Sequence, residues 1–297
     1  MSEGDLPAST GIGRVALTVD DPDETVAFYR DVVGLQVRSR DESVDEGTDG
    51  GGGGGGTATL GTADRALLEL RADPDAPERS ETAAGLFHTA FRVPSRAALG
   101  DALERIREHW RLTGASDHLV SEALYLRDPE GNGVEIYCDR PREAWPTTDD
   151  GRVEMTTDPL DLDSLAAEST GDESVPKGSD VGHVHLEVTS LDAARAFYAD
   201  ALGLNVRQAM SGALFLAAGE YHHHVGCNVW NGRSSPAEGR GLAWFEVVVP
   251  PEALAAVRER FEAADVAVDG IPDESSGDGF TVTDPDGVEL RIRPASE

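Results

Sequence analysis

Lysine is almost missing from this chain: Lys177 is the only one in 297 residues. With arginine it makes 25 basic residues against 56 aspartates and glutamates, a formal net charge of −31. A phosphate backbone would be repelled by such a protein, so nucleic acid is excluded as a partner. Cysteine is scarce too. Cys138 and Cys227 are too few for a disulfide framework and lack zinc-site spacing, so both read as packed thiols. No apolar run approaches the ~18 residues of a membrane-spanning helix, which argues against a membrane protein. The opening MSEGDLPAST has no basic stretch and no apolar core of the signal-peptide kind, and the expected location is cytoplasmic.

Hydrophobic residues make up 39% of the chain, enough for packed cores, and its length suggests two domains. The carboxylates do not gather in a tail. They are spread through segments with regular apolar patterning, as in a solvated acidic shell, and the acidic, lysine-poor composition resembles that of proteins from extreme halophiles.

An internal repeat organises the chain. GRVALTVDDPDETVAFYRDVVGLQVR from Gly13 lies over GHVHLEVTSLDAARAFYADALGLNVR from Gly182 without a gap, at an offset of 169. HTAFRVP from His88 lies over WFEVVVP from Trp244, and Asp128, Pro129 and Gly131 over Asp284, Pro285 and Gly287, all at an offset of 156. The chain is an A-B-A-B array. Each unit opens on alternating apolar residues such as Val15, Leu17 and Val19, which predict a strand with one buried face. A helix follows: Asp21 can cap it, Pro22 suits its first turn, Val26, Tyr29 and Val33 recur at helical spacing, and Gly34 closes it. Shorter strands complete a β-α-β-β-β unit, with Asp-Pro-Glu-Gly as a turn between two of them. Gly50 to Gly56 is expected to be a disordered hairpin loop. Residues 141–180, acidic and carrying Pro146, Pro159 and Pro176, read as a linker with a short helix around Leu162 to Glu168.

A β-α-β-β-β repeat carrying AFYRDVVGL and AFYADALGL, with FHTAF, DPEGNGVEIY and GHVHLEV, resembles the vicinal oxygen chelate superfamily, which includes glyoxalase I and the extradiol catechol dioxygenases. SEALYLRDPEGNGVEIYCDRP and GEYHHHVGCNVW resemble its bacterial two-domain catechol 2,3-dioxygenase branch. The resemblance implies an α+β fold of four βαβββ modules in two tandem domains, with cup-shaped mixed sheets flanked by helices. The domains would be 1–140 and 181–297, joined by 141–180.

In that superfamily a metal is held by first-strand and last-strand residues of two paired modules. The first-strand positions here are Arg14, His88, His183 and Trp244, and the acidic last-strand candidates are Glu69, Glu135 and Glu289. Pairing the second module with the third collects His88, Glu135 and His183, two imidazoles and one carboxylate, which suits non-haem Fe(II) chemistry with O2. Pairing the first with the fourth puts Arg14 and Trp244 where ligands would be, and a metal-free twin is expected there. His185 is a rival to His183, because it faces the same side two residues on.

If residues 221–224 form a strand, alternation points His223 away from His222 and His224, so the three histidines would not share one ion. The resemblance assigns His223 as an acid/base residue, Tyr125 as a hydrogen-bond partner of the substrate oxygen and His118 as a further pocket histidine. The implied activity is extradiol cleavage of an aromatic diol by O2 with Fe(II), Mn(II) remaining an alternative ion. A glyoxalase-like isomerase or lyase using Ni, Zn or Mn, and a drug-sequestering binding protein of the bleomycin-resistance kind, remain open, as do the ring substituents and a homo-oligomeric state.

Overall fold

The computed structural model describes residues 5–41, 56–148, 153–272 and 279–295. Module one comprises β1 (Gly11–Val19), α1 (Pro22–Phe28), β2 (Gln36–Asp41), β3 (Thr57–Gly61) and β4 (Ala66–Ala72). Module two comprises β5 (Gly85–Arg92), α2 (Arg96–His109), β6 (Gly114–Asp117), β7 (Ser121–Arg127) and β8 (Gly133–Asp139). After it come β9 (Asp158–Pro159) and α3 (Leu162–Ala166). Module three has β10 (Asp180–Glu187), α4 (Leu191–Arg195), β11 (Asn205–Met210), β12 (Ala213–Ala217) and β13 (Val225–Asn228). Module four has β14 (Gly241–Val249), α5 (Leu254–Ala263), β15 (Phe280–Thr283) and β16 (Glu289–Pro294).

The first helix forms as its sequence dictates. The Asp21 side chain accepts from the backbone N–H groups of Asp23 and Glu24, Pro22 begins the helix, and the chain leaves at Gly34 with φ +92°. Its last turn, Tyr29–Val33, is π-helical, and Ala196–Ala201 repeats that feature in module three. Each π turn presents a buried tyrosine to an aspartate of the following module: Tyr29 donates to Asp128 at 3.1 Å and Tyr198 to Asp284 at 2.8 Å. Burial pushes both carboxyls up to about 6. The repeated tyrosines and aspartates of the sequence therefore fasten module one to two and three to four.

The sheets are assembled the other way. A seven-stranded sheet in the order β15-β16-β14-β1-β4-β3-β2 joins modules one and four, and a nine-stranded sheet in the order β11-β12-β13-β10-β5-β8-β7-β6-β9 joins modules two and three. The seams are the antiparallel pairs β1–β14 and β5–β10, each crossing from one half of the chain to the other. One apolar cluster including Tyr29, Phe91, Leu99, Tyr198, Phe245 and Phe261 runs through the molecule. Burial of each such side chain contributes ~1.5–3 kcal/mol.

Strands β2 and β3 pair antiparallel across residues 42–55, so Gly50 to Gly55 of the expected loop lie outside the described residues. The segment after module two is packed along part of its length. Leu165 is fully buried, and Asp101 of α2 accepts hydrogen bonds from Ser169, Thr170 and Gly171. Gly100 permits this approach, since a Cβ there would stand 2.8 Å from the Leu165 carbonyl oxygen. Among the described residues no helix is long and apolar enough to cross a membrane.

Candidate metal centre and pocket

Three neighbouring strands each place one donor on the concave face of the nine-stranded sheet: His88 from β5, Glu135 from β8 and His183 from β10. His88 Nε2 and Glu135 Oε2 are 3.0 Å apart, His183 Nε2 and Glu135 Oε2 3.2 Å, and the two Nε2 atoms 3.3 Å. Two ligands at right angles, each ~2.1 Å from one cation, stand about 3.0 Å apart, so the triangle has the spacing of a facial set of three ligands. Among the described residues it is the one cluster of three such donors.

Glycines make the convergence sterically allowed. A Cβ on Gly182 would fall 1.7 Å from Tyr137 Oη, one on Gly226 would fall 2.9 Å from the His185 ring, and one on Gly133 would strike the Phe87 carbonyl oxygen. Register shifts flank His183 and His185 on β10, and such irregularities re-aim side chains at the edges of sites.

All three donors are buried. Burial pushes the His183 ring down to about 4 against the pull of Glu135, so at neutral pH it is uncharged with a lone pair to give. Burial acts upward on the Glu135 carboxyl, but the adjoining His183 and His88 rings outweigh it and hold the group well below the usual carboxylate range. A carboxylate beside the uncharged His183 ring suits a divalent cation. His185, the sequence rival, lies outside this triangle, with its ring centroid 4.9 Å from that of His88 and its buried Nε2 without a partner.

The histidine run departs from the expected strand. Residues 221–224 precede β13 in irregular chain, so alternation does not govern them. His222 and His223 are both buried and linked Nδ1 to Nδ1 at 2.7 Å, while His224 turns aside to accept from the Ala218 N–H. His222 Nε2 donates to Asp139 at 3.0 Å, and Asp139 also receives Tyr221 Oη and Arg92. In the tautomer where His222 directs Nε2–H at Asp139 and leaves Nδ1 open, its Nδ1 accepts from His223 Nδ1–H, and His223 Nε2 is then the nitrogen with a free lone pair. The His223 ring lies 4.0 Å from that of His183, centroid to centroid.

Tyr125 sits directly opposite Glu135 in the β7–β8 ladder. Its Oη is 2.6 Å from His118 Nε2, and His118 Nδ1 donates to the Thr156 carbonyl at 2.5 Å. That tautomer makes His118 Nε2 an acceptor for the Tyr125 hydroxyl. Burial, reinforced by Glu135, keeps the tyrosine protonated by raising its pKa well above the ordinary value.

His88, His118, Tyr125, Glu135, His183 and His223 all line one cavity of about 470 Å³. The remaining wall includes residues without a chemical signature in the sequence: Phe87, Phe215, Met210 and Trp230, and Met155 from the segment between the halves.

The seven-stranded sheet carries the equivalent positions with other residues. Arg14, Trp244 and Arg291 stand where the repeat places His183, His88 and Glu135. The Arg291 and Arg14 guanidinium carbons lie 4.0 and 5.4 Å from the centre of the Trp244 ring. Glu246 accepts from Arg14 at 2.7 Å and pairs with Arg293 at 2.7 Å. Of the sequence's other acidic candidates, Glu69 lies 3.7 Å from Arg14, and Glu289 pairs with Arg291 at 2.8 Å.

Comparison with known proteins agrees with this architecture. The chain is 40% identical over 288 residues to Catechol-2,3-dioxygenase of Bacillus subtilis (strain 168), covering 93% of this chain and 94% of that protein. In fold it is similar to a Bacillus subtilis protein of known crystal structure, at 14% identity and a TM-score of 0.65, with 99% of this chain and 87% of the other covered. Glyoxalase I from Zea mays aligns with a TM-score of 0.60 at 15% identity, over 96% of this chain and 92% of the other. Residues 11–136 and 180–292 match the family model, and the chain belongs to the Glyoxalase/Bleomycin resistance protein/Dioxygenase superfamily.

Proposed function

We propose that this protein is an extradiol ring-cleaving dioxygenase that opens catechol or a substituted catechol with O2, using Fe(II), with Mn(II) as the alternative ion. The observation that carries the reading is the His88, Glu135 and His183 triangle inside one pocket with Tyr125, His118 and His223. Similarity to a catechol-2,3-dioxygenase along nearly the whole chain supports the same reaction.

Two imidazoles and one carboxylate would hold the ion and leave positions for the adjacent oxygens of a catechol and for O2. The bound ion would supply a route for electron density from the catecholate to O2. His223 Nε2 takes a proton from the catechol and returns it as the oxygen–oxygen bond breaks. Tyr125, held protonated, has one hydroxyl proton, which His118 Nε2 accepts in this structure and which would turn to the substrate oxygen when a catechol binds, while the Thr156 carbonyl holds the His118 ring in place. Both oxygen atoms enter the ring-opened semialdehyde, so no external reductant is required.

A glyoxalase-like reaction commonly uses a second carboxylate. The last strand of module three, β13, offers none in Val225–Asn228. A metal-free drug-binding protein would have no use for the buried donor triangle. We place residues 1–140 and 181–297 as tandem domains with 141–180 between them, and read the acidic shell as suited to molar salt, where a Debye length of ~3 Å screens its self-repulsion. A melting temperature that rises from low salt to molar KCl supports the salt reading, and a fall counts against it. The activity is tested by anaerobic purification, iron analysis and a catechol assay followed for a yellow product. Iron-loaded protein that leaves catechol intact would remove the reading.

A further inference from the structure

The cavity is larger than a dihydroxybenzene ring requires. Its volume of about 470 Å³ falls in the range of ~300–1,000 Å³ that accommodates drug-sized ligands. Ser116, Ser121, Thr156, Thr157 and Gln208 line some parts of the wall, and another part is apolar: Phe87 and Trp230 flank His185, with each aromatic centroid within 5.5 Å of its ring, and Phe215 lies 5.1 Å from His223. Among the described residues, no arginine or lysine lines the cavity. Trp230 and Met210 are 50% and 46% exposed, and with Val37 they are the large hydrophobics left open to solvent among the described residues. Two of those three therefore sit in the wall of one pocket. Exposed apolar surface gathered at a pocket marks a binding surface rather than scatter.

We propose that Met155, Met210 and Trp230 determine specificity by receiving an uncharged, apolar substituent on the catechol ring and by denying a carboxylated ring any cationic partner. A carboxylate drawn into this wall would lose water without gaining a counter-charge, inside a chain of net charge −31. An alkyl group in the same place gains burial, about fourfold in affinity per methylene. Met155 gives the segment between the two halves a part in substrate choice. This inference rests on the extradiol reading and deepens it.

The test uses the full chain. The Fe(II)-loaded enzyme is assayed for kcat/KM on catechol, 4-ethylcatechol and 3,4-dihydroxybenzoate, and the Zn(II)-loaded protein is titrated calorimetrically with the same three compounds. The expected order of both kcat/KM and affinity is 4-ethylcatechol above catechol, with 3,4-dihydroxybenzoate at least ~100-fold below the ethyl compound. Trp230→Ala should erase most of the ethyl advantage. Met210→Lys should raise the ratio of 3,4-dihydroxybenzoate to 4-ethylcatechol at least ~10-fold. Equal use of the carboxylated and ethyl rings by the unaltered protein, or ratios unmoved in both variants, would overturn the inference while leaving the extradiol reading intact. If no catechol is cleaved, the extradiol reading falls, and the calorimetric order alone decides whether the wall selects apolar rings.

Discussion

The two sheets are built on the same repeat and joined by the same kind of antiparallel seam, yet one cup gathers metal donors and the other fills itself with ion pairs. In the nine-stranded sheet the equivalent positions hold His183, His88 and Glu135; in the seven-stranded sheet they hold Arg14, Trp244 and Arg291. A guanidinium has no lone pair to offer a cation. Instead Arg14 and Arg291 lie over Trp244, and Glu246, whose counterpart in the other sheet is Ala90, supplies the balancing charge. The backbone tolerates either filling, and the two cups differ in what three equivalent positions offer a cation.

The largest effect should separate the cups completely. His88→Ala, Glu135→Ala and His183→Ala should each weaken iron retention by more than ~100-fold and abolish ring cleavage, measured by metal analysis and assay. Arg14→Ala and Arg291→Ala should leave one iron per folded chain. In the donor-bearing cup the proposed function predicts that His223→Phe keeps bound iron and loses ~10²- to 10⁴-fold in turnover. Loss of the iron instead would make the histidine run a ligand tract.

In the filled cup the predicted cost is stability. Glu246→Ala strips Arg14 and Arg293 of a carboxylate that is only 5% exposed, and should destabilise the fold by about 1 to 3 kcal/mol in urea unfolding without changing iron per folded chain. The smallest difference concerns pH, where both halves should behave alike. Asp128 and Asp284 stand at about 6 when folded, above the ordinary carboxylate value, so the folded state holds their protons more tightly. Their contribution is full below about 4 and is lost as pH rises through about 6, at roughly 1.4 kcal/mol per pKa unit. Asp128→Asn and Asp284→Asn should each flatten the fall in urea midpoint between those values, and by similar amounts.

Much of this arrangement is legible in the residues. The offsets of 169 and 156 align the four modules, and the scarcity of imidazoles at first-strand positions points to the second and third as partners before any pairing is known. Helix limits follow from Asp21 and Gly34, although the π turns do not, because nothing local distinguishes Tyr29–Val33 from an ordinary last turn. The segment after module two is harder to read. Acidic residues and prolines suggest a solvated tether, while Val153, Leu165 and Val175, too far apart to make a period, bury themselves and help pin it down. Its placement brings Met155 and Thr156 to the pocket. Trp230 and Met210 escape notice for another reason: apolar wall residues carry no chemical signature in a single sequence. The chain His223–His222–Asp139 depends on irregular backbone at 221–224, where strand alternation gives the wrong orientation.

The central claim is that a single metal centre is built across the two halves of the chain, by modules two and three. Anomalous diffraction at the iron edge from anaerobically grown, iron-loaded crystals of the full chain addresses it most directly. The account predicts one peak per chain, bounded by His88 Nε2, Glu135 Oε2 and His183 Nε2, with nothing between Arg14, Trp244 and Arg291. A peak held within one half alone, by His183 and Glu289 for example, or one centred on His222 and His223, would contradict it.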